Sequence, residues 1–255
     1  MLKIKDDWEF NVLGIYNYRK PGPWSTYFDF VRDNHSKIPG DILESGVFRG
    51  KSLIAMGMLL KELGSDKIVY GFDSFSGFPP IYDSNDGLDM FDALYKDEKI
   101  SKDHWEAVRR NIQWREFLSN HSKRIDVDNI SSSGDFSSTN IEFVKRKIDL
   151  IGLDNIVLVD GSFSETMVDD RPDPNLLMAV VMDCDLYKSY LSTFSFSWPR
   201  LSINGMIYLD EYYSLKFPGA RIATDKFLEN RPHKLVMHDK KEGDFERWYA
   251  IKSDN

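Results

Sequence analysis

The chain has 255 residues, 42% apolar, 14% aromatic and 29% charged, which fits a globular protein with a sizeable core and excludes a disordered or fibrous one. Against 33 Lys and Arg stand 41 Asp and Glu, a net charge of −8, and no basic stripe interleaved with aromatics offsets it, so nucleic acid and anionic lipid are not expected as partners. No apolar run approaches the roughly 18 residues that span a bilayer, MLKIKDDWEF places charges where a signal peptide needs an apolar core, and the single cysteine, Cys184, precludes an internal disulfide or a Cys-rich zinc site, so the expectation is a cytoplasmic protein without membrane insertion.

Residues 1–37 differ in character from the rest: Trp8, Phe10, Tyr16, Tyr18, Trp24, Tyr27 and Phe28 crowd a segment broken by PGP at 21–23. They read as an aromatic arm or helix that covers the active face or a dimer partner, with simple packing on the core as the other reading. A homo-oligomer is expected, a dimer favoured. From Asp41 onward strand-like and helix-like segments alternate, the pattern of an α/β fold with a parallel sheet. ILES, Ile42–Ser45, is the first strand, followed by a turn at Gly46 and a helix with Leu53, Met56, Leu60 and Leu63 on one face, stopped by Gly64.

The second strand, KIVYGF, ends at Asp73, and the irregular stretch from Ser74 to Ile100 is too long for an ordinary βα connection. A lid insertion over about 76–135 is expected, with a helix through HWEAVRRNIQW and then the polar stretch DVDNISSSGD. Thr139 and Glu142 suggest a capping box for a helix that presents Ile141, Val144, Ile148 and Ile151 on one face and ends at Gly152. NIVLVD, LLMAVVM and GMIYLD read as strands three to five, with helices over 186–198 and 220–229. KLVMH, the turn DKKEGD and RWYAIK close the chain as an antiparallel hairpin joined to the sheet.

In an open α/β sheet, ligands bind beyond the carboxyl ends of the strands. Every strand here ends in an acid: Glu44 before Ser45 and Gly46, Asp73, Asp160 before Gly161 and Ser162, Asp183 with Asp185, and Asp210 with Glu211. One such acid is ordinarily a turn or cap residue, but five in step point to a site. Asp73 stands where a carboxylate can accept hydrogen bonds from both ribose hydroxyls of a nucleoside cofactor. The turn ESGVFRGKS has Phe48 where the second glycine of G-x-G-x-x-G belongs, which disfavours a dinucleotide pyrophosphate and favours S-adenosylmethionine, whose sulfonium an acidic rim would suit. Asp183, Asp210 and Glu211 come from neighbouring strand ends and offer hard oxygen donors, suited to Mg²⁺, or to Mn²⁺ or Ca²⁺, with unpaired surface acids or helix caps as the other reading. There is no G-x-S-x-G elbow, H-E-x-x-H or P-loop, and among the five histidines only His104 and His121, near the insertion, are remote candidates.

ILESGVFRGKS, GFDSFSGFPP, VDGSFSETM, MDCDLYKS and MIYLDEYY, in this order over roughly 38–227, resemble the macrocin O-methyltransferase family, enzymes that methylate sugar hydroxyls. The resemblance implies a class I methyltransferase fold: a Rossmann-like, mostly parallel seven-stranded sheet with a C-terminal antiparallel hairpin and helices on both faces, occupying 38–255. It implies S-adenosylmethionine as methyl donor, a divalent metal beside a sugar or glycoside acceptor, and a site assembled from the matched motifs. Glu44 and Gly46, with Ser45, Val47 and Ser52, would shape the cofactor turn; Asp73 and Ser74 would hold the ribose; Gly161 and Ser162 would border the adenine. Asp183, Asp210 and Glu211 would bind metal, Asp183 would also touch the cofactor, and Asp183 or Asp185 would take the acceptor proton. Lys51, Cys184 and Glu211 depart from the family pattern. A nicotinamide-dependent sugar oxidoreductase and a non-catalytic cofactor-binding module are the alternatives.

Overall fold

A computed structural model describes residues 1–119, 124–238 and 246–254. Seven strands form one sheet in the order β3-β2-β1-β4-β5-β7-β6: β1 Asp41–Ser45, β2 Val69–Asp73, β3 Ile156–Asp160, β4 Leu177–Met182, β5 Leu201–Leu209, β6 His233–His238 and β7 Arg247–Lys252. The first five are mutually parallel, whereas β7 pairs antiparallel with both β5 and β6. The final hairpin therefore enters the sheet through its second strand, with β7 inside and β6 at the edge; its turn, 239–245, lies outside the described residues.

Strand β4 shows why the sequence forms this sheet. All six of its residues are buried and divide between two cores, Met178, Ala179 and Val181 on one face and Leu177, Val180 and Met182 on the other, the strict alternation broken where the register with β5 shifts between Leu177 and Ala179. A continuous apolar run is what a strand covered on both sides requires. The first face is covered by α2 Ser25–Asn34, α3 Lys51–Glu62 and α6 Ile141–Ile151, the second by α8 Tyr187–Arg200 and α9 Pro218–Leu228. The remaining helices are α1 Asp7–Leu13, α4 Met90–Lys96, α5 Lys102–Leu118 and the single turn α7 Phe163–Thr166.

Several expectations need correction. Helix α3 is not amphipathic: Ser52 to Leu60 are all buried, because it is wedged between the sheet and the N-terminal segment. The cap of α6 is Asn140, whose Oδ1 accepts the N–H of Phe143 at 2.8 Å, while Thr139 donates its hydroxyl proton to the carbonyl of Phe48. Strand β5 starts at Leu201, four residues before the expected GMIYLD, directly from the end of α8. The N-terminal aromatics follow the second of the two readings: Phe10, Tyr18, Trp24, Tyr27 and Phe28 join the core, with Trp24 stacked on Tyr208 at 5.0 Å and the Tyr208 hydroxyl donating to the Pro23 carbonyl at 2.9 Å, while Trp8 is exposed. Residue 121 lies outside the described residues, and His104 is buried with its ring 4.1 Å from Tyr213 and Nε2 2.8 Å from the Ser214 carbonyl.

Candidate active site

The carboxyl ends of the parallel strands converge on one rim, where the backbone is also under most strain. Phe48 after β1, Phe75 after β2, Gly161 after β3 and Asp185 after β4 all have positive φ, at 47°, 47°, 140° and 61°. Non-glycine residues with positive φ persist where surrounding contacts over-determine them, and they gather at binding sites. Gly46 has a plain steric reason: a Cβ there would lie 1.7 Å from the carbonyl oxygen of Asp183, so only glycine lets the turn after β1 cross the end of β4.

On the β1 and β2 side, Asp73 is held by the backbone. Its Oδ2 accepts the N–H of Phe48 at 2.8 Å and its Oδ1 that of Phe75 at 2.7 Å, fixing the carboxylate against the turn. Burial pushes its pKa up, and these N–H groups pull it back. Glu44 is fully buried; its Oε1 accepts from the Ser52 hydroxyl at 2.8 Å, while its Oε2 is buried without a partner. Burial raises its pKa to about 8, against the Ser52 hydroxyl and the Leu53 N–H. An orphaned buried carboxylate oxygen is costly unless a donor or cation reaches it.

The other candidates on this side are less open. Ser45 donates to the Val181 carbonyl at 3.2 Å, Val47 is buried in the core, and Ser74 donates to the Gly77 carbonyl at 3.1 Å. Gly161 donates its N–H to the Asp73 carbonyl at 3.0 Å, tying β3 to β2, and Ser162 donates to Glu165 at 2.6 Å at the start of α7.

On the β4 and β5 side, Asp183, Asp210 and Glu211 each bring a carboxylate oxygen within 4.8 Å of the others. The positions follow from the register, in which Met182 pairs with Leu209 and the next residues of both strands leave the sheet together. Burial, then the charge of Asp210, pushes the Asp183 carboxyl well above the usual range; burial and the charges of Asp185, Asp210 and Asp183 do the same to Glu211. Arg247 lies 3.9 Å from Asp210. Three acids this close, Glu211 buried and Asp183 and Asp210 half-buried, fit a divalent cation with oxygen donors. Asp185 is buried beside them, raised to about 8 by burial, with Lys216 opposing the charges of Asp210, Asp73 and Asp86.

Two neighbours were not singled out from sequence. Tyr190 lies one helical turn into α8; its hydroxyl is 2.7 Å from Glu211 Oε2 and 3.0 Å from the Met182 carbonyl, and it accepts the Glu211 N–H at 3.2 Å. No sequence motif marks it, since its role depends on where α8 starts. Tyr16 reaches the rim from the N-terminal segment: its N–H donates to the Lys51 carbonyl at 3.1 Å, and its hydroxyl feels Asp183, Asp210 and Glu44. An open depression of about 650 Å³ lies away from the rim between Arg19, Arg32, Leu59 and Glu62, and its arginines are already paired, Arg19 with Glu62 and Arg32 with Asp29.

Comparison with known proteins adds to this geometry. Residues 29–125 match the family described as macrocin-O-methyltransferase (TylF). The chain is 28% identical over 196 residues to mycinamicin III 3''-O-methyltransferase of Micromonospora griseorubida, covering 75% of this chain and 61% of that protein. It is 26% identical over 193 residues to demethyldecarbamoylnovobiocin O-methyltransferase of Streptomyces niveus, covering 75% of this chain and 59% of that one. The chain thus spans about three fifths of the length of these relatives. The solved structure of the O-methyltransferase NovP superposes with a TM-score of 0.61 at 21% identity, over 89% of this chain and 79% of the other, so the fold is that of the class I O-methyltransferases.

Proposed function

We infer, for a chain whose residues 29–125 match the macrocin O-methyltransferase family, that it transfers the methyl group of S-adenosylmethionine to a hydroxyl of a sugar or glycoside with a divalent metal bound, Mg²⁺ foremost. One observation carries the metal part of this reading: three carboxylates from adjacent strand ends within 4.8 Å of one another. The kinship with enzymes named for glycosylated natural products supports a small sugar acceptor.

In this reading Asp73 accepts the ribose hydroxyls, with its carboxylate already oriented by the Phe48 and Phe75 N–H groups. Glu44 Oε2, the orphan beneath the turn, offers an acceptor to the cationic end of the donor. Gly161 and Ser162 border the adenine. Asp183, Asp210 and Glu211 hold the ion, and the Tyr190 hydroxyl fixes Glu211 from behind. Bound, the ion would lower the pKa of an acceptor hydroxyl and the sulfonium would present its methyl group. Asp183 or Asp185 takes the proton; a carboxyl held near pH 8, as Asp185 is, is matched to that task. The insertion at 76–135 excludes water and selects the acceptor, and holding the reactants in line supplies much of the acceleration.

The Asp183→Asn variant tests this. Methyl transfer should fall by about 10²- to 10⁴-fold, the range of a lost acid–base or charge-holding group, while calorimetry should find the affinity for S-adenosylmethionine changed by less than about threefold. Full turnover in the variant would reject the assignment. A nicotinamide-dependent reading has no observation in its favour, and titration of NAD(H) beside S-adenosylmethionine separates the two.

A further inference from the structure

Helix α8 begins directly after the stretch that carries Asp183 and Asp185, and its N-cap residue is Leu186, which has no side-chain acceptor. A helix start leaves backbone N–H groups without intrahelical partners, and an apolar cap cannot satisfy them. The acceptor comes from 101 residues earlier in the chain. Asp86, the last residue of a short 3₁₀ turn, Ser84–Asp86, is 3% exposed, and its Oδ1 accepts the N–H of Tyr187, the first residue of α8, at 2.7 Å.

The rest of the surroundings are shaped for this contact. Asp86 Oδ2 accepts the Asp83 N–H at 3.2 Å, so the carboxylate is held from its own turn as well. Gly219, at the start of α9, leaves it room: a Cβ there would lie 2.1 Å from Asp86 Oδ1. Lys188 lies 3.7 Å from Asp83, and Leu186 and Phe217 pack with Phe78, Tyr82 and Leu88 of the insertion. At its upstream end the Asp183 loop is anchored to β1, since the Asp183 N–H donates to the Ser45 carbonyl at 3.0 Å. Its downstream end is anchored by Asp86. Between the two anchors Asp185 is left-handed, spanned by a tight turn in which the Leu186 N–H donates to the Cys184 carbonyl at 2.6 Å.

We propose that Asp86 is a positioning residue: by capping α8 it fixes the loop of Asp183 and Asp185 to the 76–135 insertion, so that the segment facing the acceptor also sets the geometry of the carboxylates acting on it. This rests on the function inferred above. An acidic cap also has the favourable sign for the N-terminal end of the helix dipole.

Asp86→Ala and Asp86→Asn in the full chain test it, because the Asn oxygen can accept the Tyr187 N–H and Ala cannot. Calorimetric titration with Mg²⁺ alone should show about tenfold weaker binding in Asp86→Ala, restored to within about threefold in Asp86→Asn, with S-adenosylmethionine affinity unchanged within about twofold in both. Amide exchange over 186–190 should rise about tenfold or more in Asp86→Ala. Equal loss of both ligands, no rescue by Asn, or unchanged Mg²⁺ affinity and exchange would each overturn the proposal. Should Asp86→Ala not fold, Gly219→Ala, whose added Cβ would press on both Asp86 Oδ1 and the Tyr187 backbone and so part the two, must reproduce the loss. A wild-type chain that binds no Mg²⁺ would reject the metal reading by itself, and the exchange result would then decide the role of Asp86.

Discussion

At the scale of single residues, the rim is a set of acids, of which Glu44, Asp185 and Glu211 are buried and Asp73, Asp183 and Asp210 half-buried. Glu44 shows the consequence for stability. Its folded-state pKa of about 8 lies above its usual 4.5, so the folded chain binds this proton more tightly than the unfolded chain does. The associated stability is fully present below about pH 4.5 and is lost as pH rises through about 8. Thermal melting of the ligand-free chain should therefore fall across that window, and Glu44→Gln should flatten the fall. Asp73→Ala removes a carboxylate already oriented by two N–H groups, and S-adenosylmethionine affinity, read by calorimetry, should drop about 10- to 100-fold, the range for hydrogen bonds to a charged group. The acids were legible in the sequence because each follows an apolar run that can only be a strand. Tyr190, Asp86 and Lys216 were not, because their positions depend on tertiary contacts between segments far apart in the chain.

At the scale of elements, strands and their order of appearance follow from local pattern, as does the face of α6, where Val144, Ile148 and Ile151 are buried as expected, whereas the face of α3 does not. The residues of β4 divide between two cores, so its sequence reads as uniformly apolar, and α3 likewise hides its periodicity by being buried all round. The α6 cap shifted by one residue because Thr139 is engaged with Phe48, leaving Asn140 to serve the helix. The N-terminal segment carries Phe10, Tyr18, Trp24, Tyr27 and Phe28 into the core, leaves Trp8 exposed, and sets Tyr16 against Trp24 at 5.4 Å, with Trp24 stacked on Tyr208 at 5.0 Å. Trp24→Ala should accordingly destabilise the chain by about 3–5 kcal/mol in urea unfolding, as for other buried large-to-small changes. A loss below about 1 kcal/mol would show that the segment adds little to the fold.

At the scale of the whole molecule, the sheet gathers strand ends from 44 to 211 onto one rim, while Phe78, Tyr82 and Leu88 pack with Leu186 and Phe217, and Phe91 and Leu94 cluster with Ile222 of α9. No described helix is long and apolar enough to cross a membrane. The chain carries a net charge of −8, and Asp183, Asp210 and Glu211 bring three of its acids together at that rim. The most direct test is transfer of radiolabelled methyl groups from S-adenosylmethionine to a panel of nucleotide-linked sugars and glycosides, run in parallel with Mg²⁺ and with excess chelator. Incorporation with Mg²⁺ that disappears in chelator is the predicted result; incorporation that persists undiminished in chelator would contradict it.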